Sequence, residues 1–148
     1  MNLISKYKGE YFLTELGTEF NSAYKNNSDS LNQSQKELLS NFIKESPFYS
    51  SISYTILSLV ESVFVLSKNS YPVSFDSLKD YFVKSVGKSN TWKTRRAQIT
   101  ATYIFSNYAC ELDFLIKISN NFYLTPSGIQ TVLLLQLNRA IKLIESQK

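Results

Sequence analysis

Apolar residues recur at two different periods along this chain, and the switches between them mark its elements. Leu3–Tyr7 and Tyr11–Leu13 flank Lys8-Gly9-Glu10, which predicts a β-hairpin with glycine easing the turn. Thr14 is placed to cap a helix that runs through Phe20 to Tyr24. The polar stretch Asn26–Ser34 (NNSDSLNQS) reads as a linker. Leu38, Leu39, Phe42 and Ile43 then form a helical stripe that ends near Pro47.

From Ser50 onward the pattern tightens. Ser51–Lys68 is a strongly apolar helix with Ile52, Ile56, Leu59, Val63 and Leu66 near helical spacing. Tyr71-Pro72-Val73 is a short extended piece, because proline restricts itself and its predecessor. Ser74 caps a second helix whose inward residues are Phe75, Leu78, Phe82 and Val83. After a turn at Gly87–Asn90, a third helix is expected from Thr91 to about Ala109, with Ala97, Ala101, Ile104 and Tyr108 as its core face. Phe114–Ile118 and Phe122–Leu124, joined through Ser119-Asn120-Asn121, form a second hairpin. Thr125-Pro126 opens the last helix, where proline's missing N–H does no harm.

One signature appears twice. YFLTELG at Tyr11–Gly17 and FYLTPSG at Phe122–Gly128 both read aromatic-x-Leu-Thr-x-x-Gly, at a constant offset of 111 positions, as from Tyr11 to Phe122. The leucine would be buried, the threonine would cap the next helix, and the glycine would let that helix pack close to the strand.

The order helix, short strand, helix, turn, helix, hairpin, together with the segments PVSFDSLKDYF, NTWKTRRAQITATYIFSNYACELDFL and FYLTPSG, resembles the winged helix-turn-helix superfamily. The resemblance covers roughly Ser50–Gly128. It implies a mainly α-helical fold with small β-hairpin wings, divided into residues 1–49 (a wing-like hairpin plus two helices), 50–128 (the winged helix-turn-helix) and 129–148 (a C-terminal helix). Leu3–Phe20 looks like the wing and exit helix of a second copy, so the chain reads as a degenerate tandem repeat. Accidental reuse of a good strand-to-helix join is the plainer alternative. Tandem arrangements of this kind are similar to the DNA-recognition parts of some restriction enzymes and to the AAA-associated domain of certain ATPase subunits.

Composition narrows the chemistry. At 148 residues with 43% apolar and 19% charged positions, the chain suits a folded core rather than disorder. There is no histidine, which excludes histidine-dependent nucleophilic sites and histidine-ligated metals. Glu111-x-Asp113 near Lys117 is the nearest approach to a magnesium site, and a polar entry to a strand explains it better. No cofactor is expected, and an autonomous enzyme is not. The single Cys110, with no recognisable leader, fits a reducing cytoplasmic setting, and the apolar run Ser51–Leu66 is short for a membrane span and contains Glu61.

Charge distribution says more than the net value of +4. No acidic residue occurs between Asp80 and Glu111, while Lys84, Lys88, Lys93, Arg95 and Arg96 all fall there. In a helix-turn-helix that interval faces the major groove and its phosphates. Arg95, Arg96 and Gln98 can read base edges, Asn90 and Thr91 can bond phosphates, and Lys117, Asn120 and Asn121 of the wing can reach the backbone. Plain solvation of a helix surface is the alternative. Trp92 reads as an anchor at the start of the third helix, and Tyr103, Phe105 and Tyr108 as core.

The expected function is therefore duplex DNA binding without catalysis, as a transcription regulator or a restriction or defence recognition module. The rival is a winged-helix protein adaptor. On the last helix Ile129, Leu133, Leu137, Ala140 and Ile144 form one stripe, widened by Val132, Leu135, Ile141 and Leu143. It can pack on its own domain, or pair with a second chain or larger partner, with Arg139 and Lys142 flanking the seam.

Overall fold

The computed structural model describes residues 3–24 and 30–146; Lys25–Asp29, which include the front half of the expected linker, lie outside the described residues. The molecule is mainly helical, with two small antiparallel sheets. Strands β1 (Ile4–Tyr7) and β2 (Glu10–Leu13) form the first hairpin, followed by α1 (Glu15–Ser22) and α2 (Gln33–Glu45). Then come α3 (Ser51–Ser67), β3 (Val73–Ser74), α4 (Phe75–Ser85), α5 (Arg95–Glu111), β4 (Leu115–Ile118), β5 (Asn121–Leu124) and α6 (Pro126–Glu145). The second sheet has the order β3-β5-β4.

Helix starts are set locally. Thr14, Asn32, Ser50, Ser74, Thr94 and Thr125 each accept a hydrogen bond from the backbone N–H three residues on, satisfying a donor the helix cannot. The third helix of the second half starts later than expected. Thr91 and Trp92 donate their N–H groups back to the Lys88 carbonyl, so Thr91, Trp92 and Lys93 belong to the connection, and Thr94 is the cap.

Helix α3 is the hub. Ile56, Leu57, Leu59, Val60 and Val63 are buried against α4, α5, α6 and β5, with Phe82, Phe114 and Phe122 completing the core. Its buried Thr55 and Ser62 hydroxyls donate to the carbonyls of Ser51 and Ser58, so their burial leaves no orphan donor. The core face of α5 corrects the expectation. Thr102, Ser106 and Ala109 are buried together with Ala101, whereas Ile104 and Tyr108 are exposed and Ala97 is half-buried. Small side chains let α5 approach α3 closely.

The two hairpins match residue for residue. Thr14 N–H donates to Leu3 O and Thr125 N–H to Phe114 O, the same bond at equivalent positions. A Cβ on Gly17 would lie 1.9 Å from Leu3 O, and one on Gly128 would lie 2.1 Å from Phe114 O. Lys6 lies over the Tyr11 ring across one hairpin, as Lys117 lies over the Phe122 ring across the other. Lys8 and Ser119, at the equivalent turn position, both have positive φ.

A side-chain clamp fixes α6 to α3. Arg139 donates from Nη1 to both Glu61 carboxylate oxygens at 2.6 and 2.7 Å, and from Nη2 to the Tyr54 hydroxyl at 3.0 Å. Burial disfavours the arginine's charge, but these bonds outweigh it and raise its pKa. Among the described residues no helix is long and apolar enough to cross a membrane.

Two substitutions test this frame. Gly128→Ala should lower unfolding free energy by about 1–3 kcal/mol, because a backbone carbonyl must move to admit the methyl. Glu61→Ala should cost about 1–2 kcal/mol, discounted from a fully buried pair because Arg139 is partly exposed. Urea unfolding monitored by circular dichroism reads both; an unchanged midpoint in either would contradict the corresponding contact.

Candidate functional site

The acid-free interval runs from the last turn of α4 through the 86–94 connection into the first turn of α5. Lys84, Asn90, Thr91, Lys93, Arg95 and Arg96 are exposed, and Lys88 is half-buried. Among the described residues none of the five cations has an ion-pair partner, whereas Lys79 holds both Asp76 and Asp80. The cluster is thus a run of unpaired positive charge.

Helical spacing sorts the faces of α5. With Thr102, Ser106 and Ala109 turned inward, the outward crest falls on Arg96, Thr100, Tyr103 and Asn107, all exposed and all able to hydrogen-bond. Arg95 shares the first turn with Arg96 but lies to one side of that crest. Thr100, Tyr103 and Asn107 are not among the sequence candidates, although they stand four, seven and eleven positions after Arg96. Tyr103 and Tyr108 are surface residues, contrary to the core reading, while half-buried Phe105 packs edge-on against Phe82 and at a tilt against Trp92.

Four candidates are engaged inside the protein. Gln98 donates from Nε2 to the Trp92 carbonyl at 3.1 Å, which ties the connection to the helix. Lys117 is half-buried, lying 5.1 Å from the Tyr103 ring centre and 5.8 Å from that of Phe122, so it folds onto α5 rather than projecting from the hairpin. Asn120 accepts the Phe75 N–H through its backbone carbonyl at 2.9 Å, and Asn121 pairs with Ser74, so the hairpin tip is bound to the start of α4. The candidates therefore divide into a basic group running from the end of α4 to the start of α5, and a hairpin group in which Lys117 folds onto α5 while Asn120 and Asn121 meet the start of α4.

Trp92 is half-buried against Phe82 and Phe105, in keeping with an anchor, but it anchors the connection. Cys110 is half-buried; desolvation raises its thiol pKa, partly offset by Lys117. It is a poor nucleophile.

Beside the crest runs an apolar groove of about 870 Å³. Ala97, Ala101, Ile104 and Tyr108 of α5 form one wall, with Leu39, Ile52 and Ile56 opposite. This groove exists because the apolar row of α5 is rotated out of the core.

Comparisons of the chain with protein-family models, with characterised proteins and with solved structures find no match.

Trp92 is the only tryptophan and gives a direct probe of the connection. Gln98→Ala should shift its emission to the red and cost about 1 kcal/mol, the net worth of one hydrogen bond. An unaltered spectrum would mean that Gln98 does not hold the connection.

Proposed function

We propose that this protein binds duplex DNA without catalysing a reaction, using a winged-helix unit formed by α3 to β5 and placing α5 in the major groove. The order of elements and the β3-β5-β4 sheet support the winged-helix assignment. The observation that carries the function is the crest Arg96–Thr100–Tyr103–Asn107 rising from an unpaired basic first turn. Arginine offers a bidentate pair to guanine, asparagine to adenine, and the threonine methyl fits thymine. The helix N-terminus and its cations suit phosphates. With no histidine in the chain, the acid–base repertoire is poor, and recognition is what the surface provides.

Binding of a random duplex should weaken steeply with salt. Engagement of all five cations gives a slope of log K against log salt of roughly −4.5. Replacing Arg95 and Arg96 together by alanine should flatten that slope by about two units and cost about 1–3 kcal/mol for each base-edge hydrogen-bond pair removed. Fluorescence polarisation at several salt concentrations measures both. If the double variant keeps its thermal midpoint and binds as the parent does, α5 is not the reader.

A second reading, a winged-helix adaptor for a protein partner, is favoured by the apolar groove along α5. It predicts association that hardly responds to salt.

A further inference from the structure

The same hairpin is buried in one half of the molecule and bare in the other. On the inner face of β4–β5, Leu115 and Phe122 are 2% and 0% exposed, covered by α3 and α5 and by the Phe75 ring at the start of α4. Ile4 and Tyr11 hold the equivalent positions on β1–β2 and are 57% and 71% exposed. Cross-strand register puts Ile4 with Leu13 and Lys6 with Tyr11, so all four share one of the hairpin's two exposed faces. A lone two-stranded hairpin is marginal in water, and its twin shows what completes it, an apolar helix laid across the inner face.

Besides the α5 row that lines the groove, the 20-residue helix α6 carries an exposed apolar row of its own. Val132 and Leu135 of α6 are buried against the body, while Ile129, Leu133, Leu137 and Ile144 are exposed at helical spacing. Arg139 turns back to Glu61, and Lys142 lies 3.7 Å from the Phe48 ring centre, so neither cation flanks the exposed row. The hairpin brings Lys6 and Lys8, and the helix does not repel them.

We infer that the Ile4–Lys6–Tyr11–Leu13 face docks on the exposed row of α6 of a second copy, with the exchange made reciprocally. Area decides for reciprocity. Covering Tyr11 with Ile4, Leu13 and the Lys6 stem removes roughly 300 Å² from the hairpin. The helix loses about as much, so one contact totals roughly 600 Å², the size of a chance crystal contact, whereas two total roughly 1,200 Å², the lower end of stable interfaces. Two-fold symmetry supplies the second contact at no further cost in rigid-body entropy.

Sedimentation equilibrium of the full chain tests this. The parent should be a dimer, and Tyr11→Glu and Leu133→Glu should each weaken dimerisation by about tenfold or more while keeping the parent's circular dichroism. Mixing the two variants should give association stronger than either variant shows alone but far short of the parent's, because the mixed pair keeps one intact hairpin-on-helix contact. A monomeric parent overturns the inference. So does a dimer in which only one substitution matters, since helix-on-helix pairing would ignore Tyr11 and hairpin-on-hairpin pairing would ignore Leu133. If either glutamate variant loses its fold, cysteine pairing replaces it. In a Cys110→Ser background, a Tyr11→Cys chain mixed with a Leu133→Cys chain should form a disulfide-linked pair, and failure to cross-link overturns the inference equally.

Discussion

Helix α6 leaves its strand at a point where there is no room for a side chain. The Phe114 carbonyl, which also accepts the Thr125 N–H and the Thr125 hydroxyl, occupies the space a Cβ on Gly128 would take. That contact fixes the angle between β4 and the start of α6, and so determines which residues of α6 reach α3. Val132 and Leu135 meet the hub, and Arg139 then arrives at Glu61. The same contact recurs at Gly17 and Leu3, where no helix bundle covers the hairpin. The join is therefore a local device that holds with or without a core around it.

Much of this is readable in the residues because it is local. Hairpins at Gly9 and Ser119, caps at Thr14, Ser74 and Thr125, and the stop of α2 before Pro47 depend on neighbours within a few positions. The start of α5 is not, because both Thr91 and Thr94 are chemically able to cap. Only the bonds from Thr91 and Trp92 to the Lys88 carbonyl decide between them. The phase of α5 departs from its pattern for a different reason. Apolar character points to Ile104 and Tyr108, but the gap beside α3 is narrow, and hydroxyls satisfied within the helix, such as that of Thr102 on the Gln98 carbonyl, can be buried there.

The candidate site is legible as a run of charge and not as a surface. Absence of acids between Asp80 and Glu111 locates the unpaired cations. It does not distinguish side chains that face solvent from those that hold the fold, such as Gln98 on Trp92 and Lys117 on Tyr103. The groove beside α5 has no sequence signal of its own, since its lining comes from three helices and three connections spread along the chain.

Arg139 is the last residue of α6 with appreciable shielding; from Ala140 to Ser146 every described position is exposed. Amide hydrogens in such turns exchange through local fraying, while those near Val132 and Leu135 exchange only when the core opens. One continuous helix thus carries two classes of protection, with the boundary at the carboxylate of Glu61.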